Sequence, residues 1–232
     1  MAKRSRNKST SKPMARKKKL KPKTDNQAEY IRSMSESDVT FCSGPAGSGK
    51  TSVSVGLACE YLLHQKVKKI IITRPVVESG KGLGYLPGTL IEKINPYLVP
   101  IVEEMNMYLT PPNVEYYTQE GIIELCPLEY MRGRNFHECF MILDEAQNAT
   151  FDQIKMFITR LGRKSKAVIN GDLRQSDLGS ESGGLLYCMD KLRDTEGISV
   201  CELTYGDIIR SGVVARILEK LNEITDVDGK II

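Results

Sequence analysis

Apolar positions in this chain fall into short dense blocks separated by polar, glycine-rich stretches. Five blocks run four to six residues: Val39–Ser43, Lys69–Thr73, Cys139–Leu143, Ala167–Asn170 and Ile198–Leu203. They are rich in β-branched residues and do not alternate with polar ones, which predicts strands buried on both faces. Val114–Tyr117 and Ile122–Leu125 are shorter strand candidates. Helical spacing marks the segments between. A short helix capped by Thr24 or Asp25 carries Gln27, Tyr30 and Ile31. Further helices are predicted over Thr51–Leu63, from Thr150 or Asp152 to Leu161, over Ser180–Leu192 and over Val213–Ile224. Thr89–Leu109 repeats apolar residues at Leu90, Ile94, Leu98, Ile101 and Met105. Its prolines, Pro96 and Pro100, stand where they break or kink a helix, and the segment reads as an insertion against the sheet. Strands separated by helices predict an α/β fold, a mostly parallel sheet with helices on both faces.

Length and charge refine this picture. The chain has 232 residues, enough for one core domain with an appendage. Its net charge of +4 is unevenly spread. Residues 1–23 hold eleven Lys and Arg and no acid; the remainder holds 22 basic against 29 acidic residues. The expected division is a basic disordered tail over 1–23 and a folded domain over 24–232. Such a tail binds nucleic acid through phosphates or simply solubilises the chain, and the run Arg16–Lys19 favours nucleic acid. No apolar run approaches the ~18 residues of a membrane span, and the basic N-terminus lacks the apolar stretch of a signal peptide. The expectation is a cytoplasmic protein without membrane contact. Six scattered cysteines form no C-x-x-C pair and read as buried, reduced thiols.

Chemistry enters at Gly44-Pro45-Ala46-Gly47-Ser48-Gly49-Lys50-Thr51, which fits the phosphate-loop pattern G-x-x-x-x-G-K-[ST]. Glycines let the backbone turn its N–H groups inward around anionic oxygens. Lys50 supplies a cation for the β- and γ-phosphates, and the Thr51 hydroxyl is a ligand for Mg²⁺. The loop lies between a predicted strand and a predicted helix, as phosphate binding at a helix N-terminus requires. Upstream, the amide of Gln27 is placed to read an adenine edge, since it donates and accepts at once; a surface glutamine is the plainer reading.

The second signal is the strand Cys139–Leu143, which delivers Asp144 and Glu145 at its tip. In isolation this is a strand-end surface pair. Beside a phosphate loop, Asp144 is assigned to the Mg²⁺ shell and Glu145 to polarising the attacking water. Gln175, at the tip of the next strand, is placed to sense a γ-phosphate. Arg210 stands before the last helix as an arginine finger or a salt-bridge partner. Arg74 and Lys81 are the cations of a long glycine-rich segment after Thr73, at the strand end where α/β sheets place ligands. Arg132 and Arg134 share a loop.

Together Gly44–Thr51, Thr73-Arg74-Pro75 with the glycine-rich segment behind it, Arg132-Gly-Arg134, Asp144-Glu-Ala-Gln-Asn148, Gly171-Asp-x-x-Gln175 and Asp207-Ile-x-Arg210 resemble the PhoH-like proteins. The resemblance runs from about Asp25 to Ile224. It implies a single RecA-like P-loop NTPase domain, similar to the first motor domain of superfamily 1 helicases, that binds ATP. It also implies that Gln27 reads adenine, that Gln175 contacts the γ-phosphate, that Gln147 couples nucleotide to bound strand, and that the Thr73–Arg74 region lines a nucleic-acid path. Ala149 departs mildly from the family pattern, where threonine is usual.

The expected activity is Mg²⁺-dependent ATP hydrolysis coupled to RNA or single-stranded DNA, with Lys50, Glu145, Gln175 and Arg210 in the chemistry. Thr73, Arg74, Lys81, Arg132 and Arg134 are the expected nucleic-acid contacts. One motor domain needs a neighbour to complete a cleft, so a homo-oligomer, a ring among its forms, is expected, in a bacterial or phage-infected host cytoplasm. Aromatic residues are few, with no Trp and five Phe, so strand binding is expected to lean on phosphates. The alternative is a nucleotide-dependent switch or assembly scaffold with slow hydrolysis and a protein partner. A small-molecule kinase is disfavoured, because no Arg-rich, lid-like insertion follows late in the chain.

Overall fold

Ile70, Ile71 and Ile72 are wholly buried, although consecutive residues of a strand point to opposite faces. Both faces of that strand are therefore covered. The structure, a computed structural model, describes residues 18–75, 90–175 and 183–209. Six strands are described there: β1 (Val39–Ser43), β2 (Lys69–Arg74), β3 (Ile123–Pro127), β4 (Cys139–Leu143), β5 (Lys166–Gly171) and β6 (Ile198–Glu202). They form one sheet in the order β3-β2-β4-β5-β1-β6. Every pairing is parallel. The helices are α1 (Asp25–Glu36), α2 (Lys50–Leu63), α3 (Leu90–Tyr108), α4 (Pro111–Gln119), α5 (Phe151–Ile158) and α6 (Gly184–Leu192).

Two apolar cores result. Residues of α1, α2, α3 and α4 pack on one face against Cys42, Ile70, Ile72, Phe140, Ile142 and Val168. Residues of α5 and α6 pack on the other against Phe41, Ile71, Met141, Leu143 and Ile169. The cysteines of the described residues are all buried and unbridged. Burial pushes the Cys59 and Cys126 thiols up to about 12, so they remain protonated and serve as packing.

Two sequence expectations change. Val114–Tyr117 is helical, inside α4. Thr110 precedes Pro111 and Pro112, a pair that suits the first turn of a helix because its N–H groups lack partners anyway. The segment from Leu90 to Tyr108 is one helix through both prolines. Ile101, Met105 and Leu109 are wholly buried at helical spacing, which offsets the donors that the prolines remove. The helix expected at Val213–Ile224 lies outside the described residues.

The topology positions a site. The chain leaves β1 through the loop Gly44–Gly49 into α2, crosses β5 and β4, and enters β2. Strand neighbours of β1 thus lie on opposite sides of its exit, and the carboxyl ends of β1, β4 and β5 open on one crevice.

At the far edge, Glu124 on β3 receives Lys69 from β2 and both terminal nitrogens of Arg134. The Arg134 hydrogen bonds, helped by Lys69, hold its carboxyl at about 2 against the opposing cost of burial. The carboxylate is depressed below its unfolded value of 4.5. Its contribution to stability is therefore complete above about pH 4.5 and lost as pH falls toward 2. Glu124→Gln should lower stability by about 1–2 kcal/mol at pH 7 and by much less at pH 2, read as denaturant midpoints at both pH values. Equal losses at both would show that the carboxylate's charge contributes nothing.

Candidate nucleotide site

Gly49 ends the loop in the left-handed region, at φ 96°, and Gly47 is left-handed as well. A side chain at Gly49 would also meet the Gln27 amide, 2.7 Å from the position of its Cβ. Glycine is required on both counts. The first turn of α2 carries no acidic residue and no side-chain cap, so its N–H groups and the positive end of its dipole face the loop. Lys50 curls back, its Nζ donating to the carbonyls of Gly44 and Pro45. Ser48, wholly buried, closes the loop by donating to Pro45 O at 2.8 Å.

Asp144 follows β4 and is 1% exposed. Its Oδ1 accepts from Thr51 Oγ1 at 2.8 Å. Its Oδ2 accepts from Arg74 Nη2 at 2.6 Å and Nε at 3.0 Å. The carboxylate thus ties the start of α2, the end of β2 and the tip of β4 together. Glu145, beside it, is exposed and sits at φ 56°. A non-glycine residue in that region costs of order 1–3 kcal/mol and persists only where neighbours enforce it. The neighbours here are identifiable. Gln147 Nε2 donates to Glu145 Oε2 at 2.7 Å, and Gln147 Oε1 accepts from Asp172 N at 3.0 Å. One buried amide therefore fixes Glu145 relative to the tip of β5.

These groups surround a cavity of about 470 Å³. Gln27, Ala46, Gly47, Gly49, Lys50, Thr51, Glu145 and Gln175, all expected from sequence, line it. Gly44, Pro45 and Ser48 belong to the loop behind. The Gln27 amide is committed on both sides, donating to Ser48 O at 2.8 Å and accepting from Lys23 N at 3.0 Å. It braces the loop as well as bordering the cavity.

Other expected contacts are placed elsewhere. Thr73 is wholly buried and presents no surface to a strand. Arg74 is spent on Asp144. Arg134 is paired with Glu124 at the far sheet edge and stacked on Phe136, 4.6 Å from its ring centre. Arg132 is exposed. Lys81 and Arg210 lie outside the described residues.

Three features escaped the sequence. Asp172, 6% exposed, lines the cavity beside Gln175. So do Glu104, Met107 and Tyr108 at the end of α3, a helix read only as an insertion. Third, Lys18–Lys23 are not part of a loose tail. Leu20 is 9% exposed, its N–H donates to Glu60 Oε1 at 2.8 Å, and Lys18, Lys21 and Lys23 line the cavity. Gly56 makes the seat: a Cβ there would come within 2.6 Å of Tyr108 and 2.9 Å of Leu20. One apolar residue among lysines is a faint signal; a glycine inside α2 was the better one.

A phosphate loop between β1 and α2, with an acidic pair at the tip of a nearby parallel strand, defines a P-loop NTPase fold. The family model described as PhoH-like protein matches residues 19–222, and the chain belongs to that family. It is 46% identical over 207 residues to a PhoH-like protein of Bacillus subtilis (strain 168), covering 88% of this chain and 65% of that protein. It is 42% identical to a PhoH-like protein of Synechocystis, with 86% and 61% covered. To Protein PhoH of Escherichia coli (strain K12) it is 36% identical, with 84% and 56% covered. The chain thus spans about three fifths of the curated relatives it matches. Among solved structures it is similar in fold to the large terminase of a thermophilic bacteriophage. That match has a TM-score of 0.58 at 13% identity, over 87% of this chain and 50% of the other. The UvsW helicase of bacteriophage T4 gives 0.50 at 14%, over 82% and 62%. Among the described residues no helix is long and apolar enough to cross a membrane.

The burial of Leu20 is directly testable. Leu20→Ala should lower the unfolding free energy by about 2 kcal/mol in a denaturant titration. A loss below about 0.5 kcal/mol would return the segment to the tail.

Proposed function

We propose that this chain binds ATP with Mg²⁺ in the 470 Å³ cavity and hydrolyses it, with turnover coupled to RNA or single-stranded DNA. The observation that carries the reading is the pairing of Thr51 Oγ1 with Asp144 Oδ1 at 2.8 Å, with Glu145 on the wall of the same cavity. A hydroxyl and a carboxylate in contact suit Mg²⁺, which takes few protein ligands and completes its shell with phosphate oxygens and water.

In this reading the loop N–H groups and the start of α2 hold the phosphates. Lys50 exchanges its two loop carbonyls for phosphate oxygens. Thr51 and Asp144 would hold Mg²⁺, which when bound would supply neutralisation of the negative charge on the phosphates. Glu145 accepts the proton of the attacking water, and Gln147 keeps that carboxylate aimed. Asp172 and Gln175 stand at the tip of β5, where hydrolysis is sensed. Gln27 borders the cavity and is assigned to adenine, which it meets with the hydrogen-bonding capacity left beside its bonds to Ser48 O and Lys23 N. Arg210 acts as an arginine finger, supplied by a neighbouring copy in a homo-oligomer. The nucleic-acid half rests on charge: eleven cations in residues 1–23, three of them on the cavity wall. The working place of such a protein is the cytoplasm.

Steady-state hydrolysis with and without single-stranded RNA and DNA tests the reading. Wild type should be stimulated several-fold by one of the strands. Glu145→Gln should still bind ATP but hydrolyse it at least a hundredfold more slowly. Near-normal turnover in Glu145→Gln removes Glu145 from the chemistry; hydrolysis indifferent to strands removes the coupling and favours a switch.

A further inference from the structure

Two aromatic rings pair on the surface where α5 and α6 begin. Phe151 opens α5 and is 41% exposed; Tyr187, in the first turn of α6, is 51% exposed. Their ring centres lie 5.3 Å apart at an interplanar angle of 88°. Each carries a lysine one helical turn further on. Lys155 Nζ is 5.9 Å from the Phe151 ring centre, and Lys191 Nζ is 5.8 Å from that of Tyr187. Leu186 extends the apolar surface at 46% exposed. A solitary exposed ring is ordinary; two edge-to-face rings, each beside a cation, are a composed surface.

The patch is rigid and joined to the chemistry. Gly184 at the head of α6 packs so closely on α5 that a Cβ there would lie 2.6 Å from Phe151 N. The N-terminus of α5 is locked by the Thr150–Gln153 capping box. Only the segment 146–150 separates Phe151 from Glu145, and Gln147 in that segment bonds Glu145. A ligand that shifts Phe151 therefore pulls on the residue assigned to activate water.

We infer that Phe151 and Tyr187, flanked by Lys155 and Lys191, form a stacking site for the bases of single-stranded nucleic acid. The inference rests on the proposed strand coupling and gives it a location, since Thr73, Arg74 and Arg134 are buried or paired. Exposed rings offer a π-face that any base can stack on, and lysines beside them meet the phosphates on either side. Unpaired bases are required, because duplex bases expose no face to a protein ring. Asp190 borders Lys191, so the net charge of the patch is small. At this patch stacking, more than charge, supplies the affinity, and it adds to the phosphate contacts of the basic residues 1–23.

The test is fluorescence anisotropy of labelled oligo-uridine and oligo-deoxythymidine on the full chain. Phe151→Leu with Tyr187→Leu keeps apolar surface but removes both rings. This double variant should bind at least tenfold more weakly than wild type, while its ATP affinity stays within twofold. Tyr187→Phe should bind as wild type does, and Lys155→Gln with Lys191→Gln should lower the salt slope by no more than about two phosphate contacts, leaving the contribution of residues 1–23. Binding by the double leucine variant within twofold of wild type overturns the stacking site and leaves strand coupling standing. A failure of wild type to bind either strand overturns both. If the leucine variant binds normally but sediments as a smaller species, the patch is a contact between copies and the inference is wrong.

Discussion

A carboxylate that is 1% exposed has no water to bond and must find partners in the protein, and the site is assembled around that constraint. Asp144 takes Thr51 from α2 on one oxygen and Arg74 from β2 on the other. The start of α2 and the end of β2 lie at opposite ends of a helix–strand unit, so the charge sets where α2 begins relative to the tips of β2 and β4. Removing one partner of such a pair typically costs several kcal/mol, because the remaining charge stays buried. The nucleotide chemistry proposed here uses the same atoms.

A second tier of buried polar groups holds the surrounding elements in register. Tyr30 of α1 donates to Asn170 Oδ1 at 2.6 Å, and Asn170 donates to Ser54 of α2 at 2.9 Å. Asp207 accepts from Thr24, Asn26 and Thr204, clasping the head of α1 to the segment after β6. Burial raises its carboxyl, but the bonds from Asn26, Thr24 and Thr204 together outweigh that and leave it lowered. Gln27 lies in the first turn of α1, so the clasp also fixes the amide that braces the phosphate loop. Each bond is modest by itself; buried polar atoms left unmade are what penalise any other arrangement.

Much of this was legible in the sequence. Runs such as Lys69–Thr73 and Cys139–Leu143 are apolar without alternation, and only a strand covered on both faces tolerates that. The phosphate loop and Asp144-Glu145 were visible because their chemistry constrains residue type at each position. What failed depended on tertiary context. Val114–Tyr117 has strand-like composition, yet the capping prolines and the burial of Val114 against the α3–α4 core made it helical. Arg134 looked like a phosphate contact because its partner, Glu124, is ten residues away on another element. Leu20 looked like tail because its seat is formed by Gly56 and Tyr108, far along the chain. Charge in a sequence states what a residue can pair with, and the fold decides whether it has already done so.

The central claim is that Thr51 and Asp144 form an incomplete Mg²⁺ shell that a bound nucleotide completes. Equilibrium titration of the protein with ATP, in Mg²⁺ and again in EDTA, tests it most directly. The account predicts binding at least tenfold tighter in Mg²⁺, and loss of that difference in Asp144→Asn. Equal affinity with and without Mg²⁺ in the wild type, or no binding in either, would contradict it.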